Sequence, residues 1–268
     1  MKNILLLVHE DDGQEARLQA ALDITRATGG HLTCLDVFTP PTIYVDMYGG
    51  GGGAVLIEQD AQQQAGQNRT ALKERLAHED VSWSWQEARG DLAREVTSAA
   101  ELADLIVLNS HFENFDYPDP VRVATNVVIQ SGRPVLAVPD SCNGIVAAGR
   151  AMIAWDGSGP AANAMKAALP LLKLASDVTL FEVGEPDANY PATEAATYLS
   201  RHEVHAKVLG GDRDRTTVAE AILERGHHAD AAYIVMGAFG HSPATEAIFG
   251  GVTRSMLTMS DMPLLLAH

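Results

Sequence analysis

The stretch Tyr233–Met256, YIVMGAFGHSPATEAIFGGVTRSM, decides how the rest of the chain is read. Tyr233-Ile234-Val235-Met236 has the continuous apolar character of a buried strand. Gly237 and Gly240 follow, and Gly250-Gly251 precede Val252-Thr253, which open a helix. Glycine at a strand end lets the backbone approach a neighbour that a Cβ would exclude. The free amides of a helix start favour an anion such as phosphate. The pattern predicts a phosphate-cradling turn at the carboxyl edge of a parallel sheet. The same glycines are also consistent with a turn that only redirects the chain.

Working outward, the strand has a counterpart. ADLIVLNSH (Ala103–His111) answers AAYIVMGAF (Ala231–Phe239), and RPVLAV (Arg133–Val138) answers MPLLLA (Met262–Ala267). Each pair sits in a series of strands alternating with helices. In the first half the strands are Asn3–Val8, His31–Phe38, Val81–Trp85, Asp104–Asn109 and Arg133–Val138. In the second they are Ala151–Trp155, Val178–Val183, Val204–Leu209, the Tyr233 strand and the terminal LLLAH. Apolar residues at helical spacing fall between them, as at Ala16, Ala20, Ala21, Ile24 and Ala27. The predicted fold is α/β: two doubly wound parallel-sheet units of roughly 130 residues, 1–142 and 148–268, joined by a polar segment at 140–149. Thr39–Ala54 interrupts the pattern with Pro40-Pro41 and five glycines, Gly49–Gly53, and reads as a flexible flap before a helix at Leu56–His78.

Composition narrows the function. The 268 residues are 46% hydrophobic, enough for a sizeable core, and the net charge is −16. That balance argues against a nucleic-acid or anionic-membrane surface. No apolar run approaches the length of a membrane span, and the amino terminus lacks a signal-peptide pattern, so the expectation is a soluble cytoplasmic protein. The two cysteines, Cys34 and Cys142, form no metal-binding or redox pair. His227-His228 lacks a third ligand at a telling spacing, so no metal site is assigned. The sequence contains no GxxxxGK[ST], GxSxG or SGGxDS motif, and no GxGxxG after the first strand. No catalytic residues are assigned.

The spacing Gly237-x2-Gly240-x9-Gly250 resembles the nucleotide loop of the universal stress protein family. Gly251 stands where that family carries Ser or Thr. The repeat extends the resemblance to nearly the whole chain, as a tandem two-domain member. The resemblance implies a Rossmann-like fold related to the adenine nucleotide alpha hydrolases, with pseudo-twofold symmetry. It implies that the last strands of the two units pair within the chain, with room for a homodimer besides. The expected ligand is ATP or a related adenine nucleotide, with Mg as a companion ion and hydrolysis at most slow; a protein partner is implied but not specified.

By the same resemblance, Asp156 meets the ribose or adenine, although the residue also suits an ordinary helix cap before Ala161. Ala154 and Trp155 line the base pocket and Met236 backs the base; all three suit a core equally. Gly237, Gly240, Gly250, Gly251, Val252 and Thr253 meet the phosphates, Thr253 supplying a hydroxyl. His241 reaches the phosphate tail. In the first half Asn109 and Phe112 stand where Gly237 and Gly240 stand in the second, so that half is expected not to bind nucleotide.

Overall fold

The computed structural model describes residues 1–39, 51–112, 119, 121–182, 190–210, 217–240 and 251–268, with the backbone alone for 51–61. The first half contributes β1 (Asn3–Val8), α1 (Gln14–Thr28), β2 (His31–Phe38), α2 (Gly51–Leu76), β3 (Ser82–Arg89), α3 (Leu92–Ala99), β4 (Leu105–Asn109), α4 (Arg122–Ser131) and β5 (Val135–Val138). The second contributes β6 (Arg150–Trp155), α5 (Gly159–Leu172), β7 (Asp177–Glu182), α6 (Ala192–Arg201), β8 (Ala206–Gly210), α7 (Val218–His228), β9 (Ala231–Gly237), α8 (Gly251–Met259) and β10 (Leu264–Ala267).

All ten strands form one sheet in the order β3-β2-β1-β4-β5-β10-β9-β6-β7-β8. Read from the middle, each half runs 5-4-1-2-3, so the order is palindromic. Every neighbouring pair is parallel except β5–β10, where Leu264, Leu265 and Leu266 oppose Ala137, Leu136 and Val135 antiparallel. This junction pairs two strand edges that would otherwise be exposed. Its eight residues are all buried, which accounts for the unbroken apolar runs VLAV and LLLA.

Strand alternation sends side chains to two faces. Ile4, Leu6, Trp155, Ile153 and Val235 pack under α1, α2, α5 and α6. Leu5, Leu7, Ala154, Ile234 and Met236 pack under α3, α4, α7 and α8. Each core runs unbroken across the β5–β10 junction.

Two expectations are corrected. The flap expected over 39–54 does not extend that far, because Gly51–Gly53 form the first turn of the 26-residue α2. Leu72 and Leu76 anchor that helix in the core, and once nucleated a helix propagates at about one bond per residue, even through residues of low propensity. Gly49 and Gly50 lie outside the described residues. The joint at 140–149 is not merely polar: Ile145 and Ala147 are buried, and the Ile145 amide donates to Asp23 Oδ2 at 3.0 Å.

Candidate functional site

β6 and β9 are neighbours, yet their chains leave the sheet toward opposite faces. β6 feeds α5 on one side, and β9 leads to α8 on the other. Such a switch point opens a crevice at the carboxyl ends of the strands. Asp156 stands there exposed, its Oδ1 accepting from the Ser158 amide at 3.0 Å. Gly157 has a φ of +78°, a conformation that glycine tolerates best. Ser158 caps α5 by accepting from the Ala161 amide at 3.3 Å. The cap before Ala161 is therefore Ser158, while Asp156 shapes the turn ahead of it.

On the β9 side, the Ala238 amide donates to the Ala267 carbonyl at 2.9 Å. Phe239 has a φ of +53° and donates its amide to Thr253 Oγ1 at 3.4 Å. Thr253 is buried, so its hydroxyl ties the turn after β9 to the first turn of α8. A Cβ on Gly237 would lie 2.5 Å from the Ala161 nitrogen and 2.7 Å from the Pro160 carbonyl carbon. The bare Cα of Gly237 thus lets α5 seat on β9. Gly240 is looser, with Pro160 Cγ at 3.2 Å from an added Cβ. At Gly251, which is exposed, an added Cβ would meet no atom within 4 Å among the described residues. Val252 is half-buried against the α7–α8 side of the core.

The expected base pocket is divided by the sheet. Ala154 and Met236 are register partners on the α7–α8 face, both nearly buried. Trp155 points to the α5–α6 face, where its indole Nε1 donates to the Tyr190 carbonyl at 2.9 Å. Gly237 and Gly240 meet the start of α5, beside the turn that Asp156 shapes, and Phe239 between them bonds Thr253 of α8. His241 and Gly250 lie outside the described residues. No group of three or more His, Cys, Asp or Glu side chains that could hold a metal ion converges among the described residues.

The equivalent crevice of the first half, between β1 and β4, holds a buried polar network. Arg17 of α1 is fully buried. Its Nε donates to the Leu7 carbonyl at 2.8 Å, Nη1 to Asp11 Oδ1 and to Asn109 Oδ1 at 2.5 Å each, and Nη2 to the His9 carbonyl. Asn109 in turn donates to Asp140 Oδ1 at 2.7 Å. A Cβ on Gly13 would fall 1.8 Å from Asn109 Nδ2, so this glycine makes room for the network. Burial drives the His9 pKa from 6.5 down to about 4, Asp11 opposing and Arg17 assisting. The pattern reading missed this arrangement. Its signal was an arginine at position 17 of the stripe 17, 20, 21, 24, on a face that is otherwise apolar.

No helix among the described residues is long and apolar enough to cross a membrane. No curated protein matches the chain in sequence. Among solved structures, a universal stress protein from Archaeoglobus fulgidus DSM 4304 is similar, with a TM-score of 0.73, 17% identity, and 99% of this chain and 96% of that chain covered. A putative universal stress protein from Pseudomonas aeruginosa UCBPP-PA14 gives a TM-score of 0.61 at 17% identity, with 99% and 93% covered. The cytoplasmic domain of a prokaryotic cation chloride cotransporter gives 0.50 at 14% identity, with 99% and 94% covered. At such identities these likenesses speak for the fold. The universal stress protein family model matches residues 1–139, the half whose crevice Arg17 closes. That match spans more than half of the 268 residues, and the chain belongs to the universal stress protein family.

Proposed function

We propose that the chain is a stress-response protein that binds ATP or a related adenine nucleotide in its second half, as a ligand that sets conformation or partner choice. In this reading 1–142 and 148–268 are the two units, and only the second binds. The observation that carries it is that Gly251, at the start of α8, is exposed with no neighbour within 4 Å of an added Cβ among the described residues, while the Asp156 carboxylate stands exposed at the end of the neighbouring strand's turn. The amides at that helix start suit phosphate oxygens, and Asp156 suits ribose hydroxyls or the adenine amino group. Gly237 contributes by seating α5, whose own start faces the same crevice.

The test is equilibrium binding of labelled ATP to the wild type, Gly240→Val and Gly251→Asp. An aspartate in the first turn suits the helix dipole, so Gly251→Asp keeps the fold while placing a negative charge where the phosphates would sit. Binding at least about tenfold weaker in both variants is expected, the loss of one good charge-assisted contact. Equal binding by all three proteins removes the pocket.

A second reading, a nucleotide-free scaffold acting through a protein partner, is favoured by Thr253. Its hydroxyl oxygen accepts from the Phe239 amide and the side chain is buried, and Gly251 supplies no side-chain donor of its own. Mass spectrometry of the denatured purified protein separates the two, since a co-purifying adenine nucleotide speaks for the first. Slow ATP hydrolysis would need Asp156 to position water, and its loss in Asp156→Ala is the corresponding check.

A further inference from the structure

A cleft of about 580 Å³ lies on the outer surface between α5 and α6. This is within the range of roughly 300–1,000 Å³ typical of small-molecule sites. Its lining includes the buried Trp155, and Tyr190 and Tyr198 supply aromatic walls. Its charged lining is Lys166 and Arg201 against Glu194, one net positive charge in a chain of net −16. Elsewhere Arg26, Arg69, Arg75 and Arg254 each grip a carboxylate. Lys166 and Arg201 hold none among the described residues; the Lys166 ammonium lies 6.0 Å from the Tyr198 ring centroid instead.

The walls are held in place. The Trp155 indole is pinned by its bond to the Tyr190 carbonyl. The Tyr198 ring is backed by His202, with ring centroids 4.6 Å apart at a 48° tilt. Fixed aromatic surfaces flanked by cations without carboxylate partners suit a flat ring carrying one negative charge. The ring packs on Tyr198 and Tyr190, and the anionic group takes up Lys166 and Arg201.

We propose that the α5–α6 cleft is a second ligand site, for a small aromatic carboxylate. The site does not depend on nucleotide binding. Lys166 lies seven residues into α5 from Gly159, about 10 Å along the helix axis from the edge crevice, and Tyr198 and Arg201 lie on α6.

The test is calorimetric titration of the full chain with 2-naphthoate, and with 2-naphthamide as a neutral ligand of the same shape. One naphthoate per chain is expected, with the amide at least about tenfold weaker. The exposed double variant Lys166→Gln/Arg201→Gln should weaken naphthoate by about tenfold or more, and Tyr198→Leu should weaken both ligands. The charge-matched variant Arg94→Gln/Lys173→Gln should bind like wild type. No binding at about millimolar naphthoate, equal binding by the amide, or equal loss in the charge-matched variant would overturn the proposal.

Discussion

The crevice between β1 and β4 and the crevice between β6 and β9 hold equivalent places in one palindromic sheet, and they are finished in opposite ways. At the end of β4 stands Asn109, gripped by Arg17 and bonded onward to Asp140. At the end of β9 stands Gly237, packed directly on the backbone of α5. The α5 start, with Pro160, Ala161 and Ala162, carries no arginine to fill the space. One fold thus supports both a crevice cross-linked by its own guanidinium and a crevice in which, among the described residues, helix backbone packs on a strand-end glycine without such a cross-link. The first kind gains rigidity and gives up a ligand site; the second leaves Asp156 and the start of α8 facing outward.

The largest expected effect tests the first half. Arg17→Leu removes all four donated bonds at once and leaves the Asp11 carboxylate buried without its cation. Asp11 Oδ2 is already buried without a hydrogen-bond partner among the described residues, so little is left to compensate it. Breaking a buried pair on one side costs about 3–5 kcal/mol, measurable as a lowered denaturant midpoint. If Arg17→Leu costs under about 1 kcal/mol, in the range of an exposed pair, then the network is not what closes this crevice. In that event the contrast between the halves fails.

The next effect is a dependence on pH that belongs to the first half alone, since Asp156 stands where His9 stands. An unfolded histidine titrates near 6.5, and burial lowers folded His9 to about 4. The unfolded chain therefore takes up the proton first as pH falls. The stability this group contributes is complete above about pH 6.5 and is lost between there and about pH 4, at up to roughly 1.4 kcal/mol per unit. Urea titrations of wild type and His9→Gln across that window should diverge, the variant losing less stability on acidification. Parallel curves would show that His9 is as easily protonated folded as unfolded.

The sequence made most of this fold legible because parallel strands covered on both faces are apolar throughout, and β1 and β2 fall at the residues expected of them. β3 runs four residues past the expected Trp85 because an edge strand carries Gln86, Glu87 and Arg89 without cost to a core. The glycine run pointed locally to a flap, and only the distant anchors Leu72 and Leu76 explain why helix reaches back to Gly51. At the site, spacing marked Gly237 without saying what it approaches, and the neighbour within 3 Å is α5. Period-two alternation, applied to Ala154 and Trp155, would have placed them on opposite faces and divided the base pocket in advance.

The smallest expected effect concerns the contact that ties the two regions together. Arg254, in the first turn of α8, makes a two-pronged ion pair with Asp119 of the first half, at 2.5 and 2.8 Å. The same carboxylate accepts from the Val121 amide at 3.2 Å, just ahead of α4. One side chain thus steadies the start of α4 and holds the helix that begins at Gly251. The arginine is half-exposed, so water and salt screen the pair, and its worth is about 0.2–1 kcal/mol. A double-mutant cycle of Arg254→Ala and Asp119→Ala should give a coupling in that range that falls in about 1 M salt. A larger, salt-insensitive coupling would mean that the halves are locked here and not only at the β5–β10 junction. The second crevice would then be held as firmly as the first.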